Sequence, residues 1–250
     1  VMPQTREHLA ILDLLGVDQG IVALTKADLV DGDRLAAARN GVANLLLGTS
    51  LEGIDILPVS SATGAGVSEL HARLVEASGR IERRQQADAF RFAVDRSFTL
   101  QGAGTVVTGI VLSGSIEVGD QVIIGPSGIQ ARIRGLHAQN RKAKRGHAGE
   151  RCALNLAGDS VSKDAISRGD MVLDPALHDP CDRIDARLRV LASETKPLTQ
   201  WMPVRLHHAA CEIGARIVLL GDEPIAPGQE GFVQLVLERK IAAVSGDRFV

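Results

Sequence analysis

Tyrosine is absent from this sequence, and one Trp with five Phe leaves aromatics at 2% of 250 residues. A nucleic-acid surface built on base stacking is thereby excluded, because such surfaces need aromatic platforms. Cysteine is scarce too. Cys152, Cys181 and Cys211 are odd in number and far apart, which excludes a disulfide framework, fits no zinc spacing and suits a reducing compartment. Among seven histidines only His207 and His208 are adjacent, and neighbours on a strand point to opposite faces; no metal site is expected. No apolar run approaches the ~20 residues of a bilayer span, and a block such as Leu45-Leu46-Leu47 reads as core. Val1-Met2-Pro3 carries no charged region ahead of an apolar block, so no signal peptide is expected. The expectation is a cytoplasmic protein with no membrane partner.

Charge is nearly balanced, 28 Lys and Arg against 30 Asp and Glu, and its placement matters more than its sum. Between 131 and 151 lie Arg132, Arg134, Arg141, Lys142, Lys144, Arg145 and Arg151, with Glu150 as the one acid. Such a stripe either faces nucleic-acid phosphate or is a solvated loop between strands. Any RNA held here would be held by its backbone and its charged end.

The texture of the chain changes near residue 80. Leu9, Ile11, Leu12, Leu14 and Leu15 form a helical face that Gly16 stops. Residues 20–24 are an all-apolar run, as in a strand buried on both faces of a parallel sheet. Residues 31–47 return to a helical pattern capped by Asp31 or Asp33, 54–59 read as a second buried strand, and Val67, Leu70, Leu74 and Val75 mark a third helix. The alternation predicts an α/β segment with two strands, too few for a stable doubly wound sheet.

Residues 81–89 are polar and read as a linker. Short Val/Ile/Leu runs bounded by glycine follow at 105–112, 121–124, 129–136 and 151–156, and further strand-like runs lie at 184–191, 204–208, 215–220 and 232–237. They predict two small barrels. A strand-entry signature recurs as Gly119-Asp120, Gly169-Asp170 and Gly246-Asp247. The expected domains are 1–80, 90–174 and 175–250, the last incomplete at its end.

Thr25-Lys26-Ala27-Asp28 follows the first buried strand and resembles the guanine-reading NKxD motif of GTPases, with Thr in place of Asn. A carboxylate there accepts from both N1–H and the exocyclic amine of guanine, while the Lys stem covers the base. Some thirty residues on, Ser60-Ser61-Ala62-Thr63-Gly64-Ala65-Gly66 ends the second strand and resembles the second base loop, whose amides meet guanine O6. Each loop sits where ligands bind in open α/β sheets. Met2-Pro3-Gln4-Thr5-Arg6-Glu7-His8 is similar to a helix start of elongation factor Tu and its relatives. Within that group, Asp95-Arg96, Gly135-Leu136-His137-Ala138-Gln139-Asn140, Gly149-Glu150-Arg151 and Arg205-Leu206-His207-His208 resemble the selenocysteine-specific elongation factors.

This resemblance implies a partial P-loop GTPase domain, doubly wound when whole, followed by two β-barrels. It implies GTP/GDP and Mg²⁺ as cofactors of the intact protein and none on these 250 residues, which lack the P-loop and switch regions and are expected to be inactive alone. Thr25, Lys26, Asp28, Ser60, Ser61 and Ala62 would address the base; no catalytic residue is assigned. Asp95, Arg96 and Arg151 would receive selenocysteine on its tRNA, Asp95 at the α-amino group and the arginines at the side chain. The implied partners are selenocysteinyl-tRNA, the ribosome, and a messenger hairpin bound through a further C-terminal domain. Competing readings are elongation factor Tu itself, the GTPase subunit of sulfate activation, and a non-catalytic double-barrel binding module.

Overall fold

The computed structural model describes residues 2–80 and 89–250, so the linker expected at 81–89 falls almost wholly outside the described residues. The chain divides into two compact units between residues 82 and 83.

In the first unit, Pro3 opens α1 (Pro3–Leu14), where its missing N–H costs nothing. Then come β1 (Ile21–Leu24), α2 (Gly32–Leu46), β2 (Asp55–Pro58) and α3 (Val67–Arg80). Asp31 caps α2, its carboxylate accepting the Arg34 N–H at 2.8 Å. β1 and β2 pair in parallel with Ile21 opposite Asp55. The buried core is small: Leu9, Leu46, Leu51 and Ile56 pack as one cluster, and Leu57 and Val59 are also buried. Leu47, expected inside, is 61% exposed, because it stands at the α2 C-cap rather than on the helix's inner face. The apolar stripe of α3 is likewise uncovered, with Val67, Leu74 and Val75 all exposed.

The second unit begins with β3 (Arg91–Leu100), β4 (Gly104–Ser113), β5 (Ser115–Glu117), β6 (Gln121–Gly125), β7 (Ile129–Ala138), β8 (Arg141–Ala143), β9 (Arg145–His147), β10 (Arg151–Ala157) and β11 (Met171–Leu173). Six of these close in the order β10-β4-β3-β11-β6-β7, with β7 pairing back to β10. Closure leaves no edge in that ring. Period-2 alternation sends Phe92, Val94, Val107, Ile124, Leu154 and Val172 into one core, each fully buried. The four strands β12 (Cys181–Arg189), β13 (Pro203–His208), β14 (Cys211–Leu219) and β15 (Glu230–Ile241) form an antiparallel sheet in the order β12-β15-β14-β13 over a second core that includes Ile217, Val233 and Leu235. His207 and His208 face opposite ways, one exposed and one buried.

The recurring Gly-Asp signature has a shared local cause. In each case the Asp carboxylate accepts the backbone N–H three residues earlier: Glu117 for Asp120, Ser167 for Asp170, Val244 for Asp247. Its own N–H donates to the same residue's carbonyl, and the preceding glycine has positive φ. That is a turn needing φ > 0 at its third position, locked by a side chain. The first two turns open β6 and β11, but no strand follows the third among the described residues. Asp247 instead reaches across the unit. It accepts two hydrogen bonds from Arg91 at 2.8 and 2.6 Å and one contact from His208 Nε2 at 2.8 Å. Burial works to raise its pKa, yet His208, Arg91 and the Val244 amide hold it well below the usual carboxylate range.

Candidate functional site

Two regions carry the residues singled out in the sequence. In the first unit, the loops after β1 and β2 are stitched together: Val59 N–H donates to Leu24 O at 2.9 Å, and Ala27 N–H to Val59 O at 3.2 Å. Parallel pairing thus sets Thr25, Lys26 and Asp28 beside Ser60, Ser61 and Ala62. Lys26 sits in the left-handed region, φ 59° and ψ 35°, and a short 3₁₀ turn from Ala27 to Leu29 carries the exposed Asp28. A non-glycine residue held there is uncommon, and such strain gathers at functional sites. The second loop folds on itself, Ser60 N–H donating to Ala65 O at 2.9 Å and the buried Ser60 hydroxyl accepting Thr63 N–H at 3.2 Å. Gly66 permits this turn: its φ is +73°, and a Cβ there would collide with the Pro58 carbonyl oxygen.

The donors and acceptors in these loops suit a purine edge. No GxxxxGK[ST] sequence occurs in the 250 residues.

The second region is the outer face of β3, β4 and β10. Asp95, Thr108 and Arg151 meet there across three adjacent strands. Arg151 donates through both Nη atoms to Asp95, and Thr108 Oγ1 donates to Asp95 Oδ1 at 2.7 Å. Burial tends to raise the Asp95 pKa, but Arg151 and Thr108, with the nearby charge of Arg96, hold it below the ordinary carboxylate value. The Asp95 hydrogen bonds raise that of Arg151. Arg96 is exposed and lies in register with Thr108. Beneath the face the buried Cys152 thiol is pushed up to about 11 by desolvation and the Glu150 charge, so it is inert at neutral pH. The side chain of Arg151 is half exposed. Ile110, opposite Arg151 in the ladder, adds an exposed apolar surface.

Thr108 and Ile110 were not singled out as site residues from the sequence. One signal was available: Phe92 and Val94 alternate inward, and Asp95-Arg96 breaks the period. Two consecutive polar residues there mark a β-bulge, a device that re-aims side chains. The basic stripe also differs from its sequence reading. Arg145 pairs with Glu117 and Arg151 with Asp95, so strands outside 131–151 supply acids the linear count missed. Arg134, Arg141, Lys142 and Lys144 remain exposed.

Three family models match the chain in order. Residues 1–79 match the elongation factor Tu GTP binding domain, residues 104–173 match elongation factor Tu domain 2, and residues 185–250 match the β-barrel domain of selenocysteine-specific elongation factor. The whole chain is 40% identical to the selenocysteine-specific elongation factor of Desulfomicrobium baculatum and 38% identical to that of Escherichia coli, over 39% and 38% of their lengths. It therefore spans about two fifths of these relatives. Two solved structures superpose on all of it at TM-score 0.86 and 26% identity. One is a bacterial selenocysteine-specific elongation factor, of which 40% is covered. The other is the apo form of translation elongation factor SelB from Methanococcus maripaludis, of which 56% is covered. Among the described residues no helix is long and apolar enough to cross a membrane.

Proposed function

We infer that this chain is a segment of a selenocysteine-specific elongation factor, a GTPase of the elongation factor Tu kind, and that the intact protein brings selenocysteinyl-tRNA to the ribosome under GTP control. A further domain of that protein would hold the messenger hairpin. Residues 1–80 supply the guanine-reading half of a GTPase domain that binds GTP or GDP with Mg²⁺, and 90–174 and 175–250 supply two barrel domains. The observation that carries the reading is the charged cluster of Asp95, Arg96 and Arg151 on an otherwise uncharged strand face, in a chain matched end to end by factors of that name.

The chemistry suits selenium. A selenol is far more acidic than a hydroxyl, so selenocysteine is anionic at neutral pH, whereas serine, from which it is made on the same tRNA, stays neutral. Asp95 takes the α-ammonium, and Arg96 and Arg151 take the selenolate. As the acyl end seats on Ile110 the arginines lose water, and an unpaired charge becomes costly. A serine hydroxyl leaves both guanidiniums uncompensated.

In the other unit, Asp28 selects guanine over adenine, which offers no donors at the matching positions. The test is equilibrium binding of selenocysteinyl-tRNA and seryl-tRNA to the intact protein. With GTP present, selenocysteinyl-tRNA binds more tightly than seryl-tRNA by about thirtyfold or more, in line with ~2–5 kcal/mol for an unpaired buried charge. In an Asp28→Asn variant the dependence on GTP moves to xanthosine triphosphate. Equal affinity for the two tRNAs, or undiminished GTP dependence of the variant, rejects the reading.

A further inference from the structure

The geometry points to Thr108 as the positioning residue of this face: its hydroxyl holds one oxygen of the Asp95 carboxylate, so that the other, which Arg151 occupies without ligand, is the one handed to a ligand's ammonium. The inference rests on the aminoacyl reading given above and adds to it how the site is set.

Asp95 sits in a bulge. The β3–β4 register passes from Val94 opposite Gly109 directly to Arg96 opposite Thr108, so Asp95 has no ladder partner. The pleat dictates side-chain direction only for paired residues, and a bulged residue must be aimed by something else. The bulge crosses β4 at Gly109, where a Cβ would collide with the Ala93 carbonyl oxygen. The neighbouring Thr108 then supplies the aim. Its Oγ1 lies 2.7 Å from Asp95 Oδ1, and since an ionised carboxylate only accepts, the hydroxyl is the donor. β-branching restricts the Thr108 χ1 rotamers, so the donor is itself stiff.

The two carboxylate oxygens are therefore unequal. Oδ1 is held by Thr108, with Arg151 Nη2 at 3.2 Å, while Oδ2 faces Arg151 Nη1 alone. Without ligand, Asp95 and Arg151 neutralise each other. A ligand anion alone would draw Arg151 away and leave Asp95 uncompensated; an ammonium alone would do the reverse. An aminoacyl group with both charges exchanges one internal pair for two pairs with the ligand. Throughout that exchange the Thr108 bond keeps Oδ1 fixed and leaves Oδ2 to the ammonium.

The experiment is selenocysteinyl-tRNA binding to the intact protein with GTP. Thr108→Val keeps the shape and removes the donor; it weakens binding about tenfold, the usual worth of a hydrogen bond to a charged group. Thr108→Ser keeps the hydroxyl and stays within about twofold. In an Asp95→Asn background Thr108→Val causes no further loss, and N-acetylated selenocysteinyl-tRNA, which has no ammonium, is indifferent to Thr108→Val. If Asp95→Asn weakens binding and Thr108→Val does not, or if Thr108→Val costs as much without the Asp95 charge, the positioning role is wrong while the aminoacyl reading stands. If Asp95→Asn itself changes nothing, the aminoacyl reading of the face fails, and the role of Thr108 with it.

Discussion

The two units solve the problem of burying apolar surface to different degrees. From 89 onward, two sheets enclose separate cores whose central side chains are fully buried. Up to residue 80, two parallel strands and three helices bury six apolar residues, Leu9, Leu46, Leu51, Ile56, Leu57 and Val59, and the strongly amphipathic α3 keeps Val67, Leu74 and Val75 in solvent. Parallel sheets are stable when both faces are covered and several strands share the load. Among the described residues, the second unit thus builds larger buried cores than the first.

The sharpest way to break that contrast is in the cores. Leu154→Ala, in the closed ring, lowers unfolding free energy by about 4 kcal/mol. Leu74→Ala, on α3, changes it by less than about 0.5 kcal/mol, as surface substitutions do. Urea unfolding of the 250-residue chain, followed by probes in each unit, separates the two; similar losses would show that α3 is covered after all.

Ion pairs extend the contrast at a smaller scale. In the first unit Arg73 lies 3.5 Å from Asp55 with both side chains nearly half exposed, and Asp55→Asn costs less than about 0.5 kcal/mol. In the second, Asp247 is enclosed by Arg91 and His208, and Asp247→Asn costs about 3 kcal/mol at neutral pH by leaving a buried guanidinium unpaired. The folded pKa of Asp247 lies below its ordinary value of 3.8. Its contribution is therefore complete above that value and is lost as pH falls through the depressed folded pKa. Melts of the second unit between pH 5 and pH 2 should lose stability steeply in the wild type and more gently in Asp247→Asn. Parallel slopes would remove Asp247 from that role.

What the sequence made legible follows the same division of causes. Alternation of Phe92 and Val94, glycine-bounded strands and the Gly-Asp turns are local signals, so the all-β character and most strand positions could be read in advance. The short strands β5, β8 and β9 were not, since three residues carry too little periodicity, and β11 was signalled only by the Gly169-Asp170 turn that opens it. The helical face of α3 was visible, but its solvent exposure was not, because periodicity says which residues are apolar and not what covers them. At the outer face, resemblance nominated Asp95, Arg96 and Arg151. Thr108 lies 13 positions from Asp95, and only strand pairing brings them together. Glu117 joins Arg145 in the same way, by the β5–β9 pairing.

The central claim is that the second unit carries a charge-reading face for one aminoacyl group. The most direct measurement sets Arg151→Ala against the wild type in the intact protein, with selenocysteinyl-tRNA and seryl-tRNA measured side by side in GTP. Selenocysteinyl-tRNA binding is expected to fall about tenfold or more, as for a lost charge-assisted contact, while seryl-tRNA binding is not weakened, because the guanidinium that a seryl end leaves uncompensated is gone. Equal losses for both tRNAs would mean that Arg151 holds RNA phosphate, and would contradict the claim.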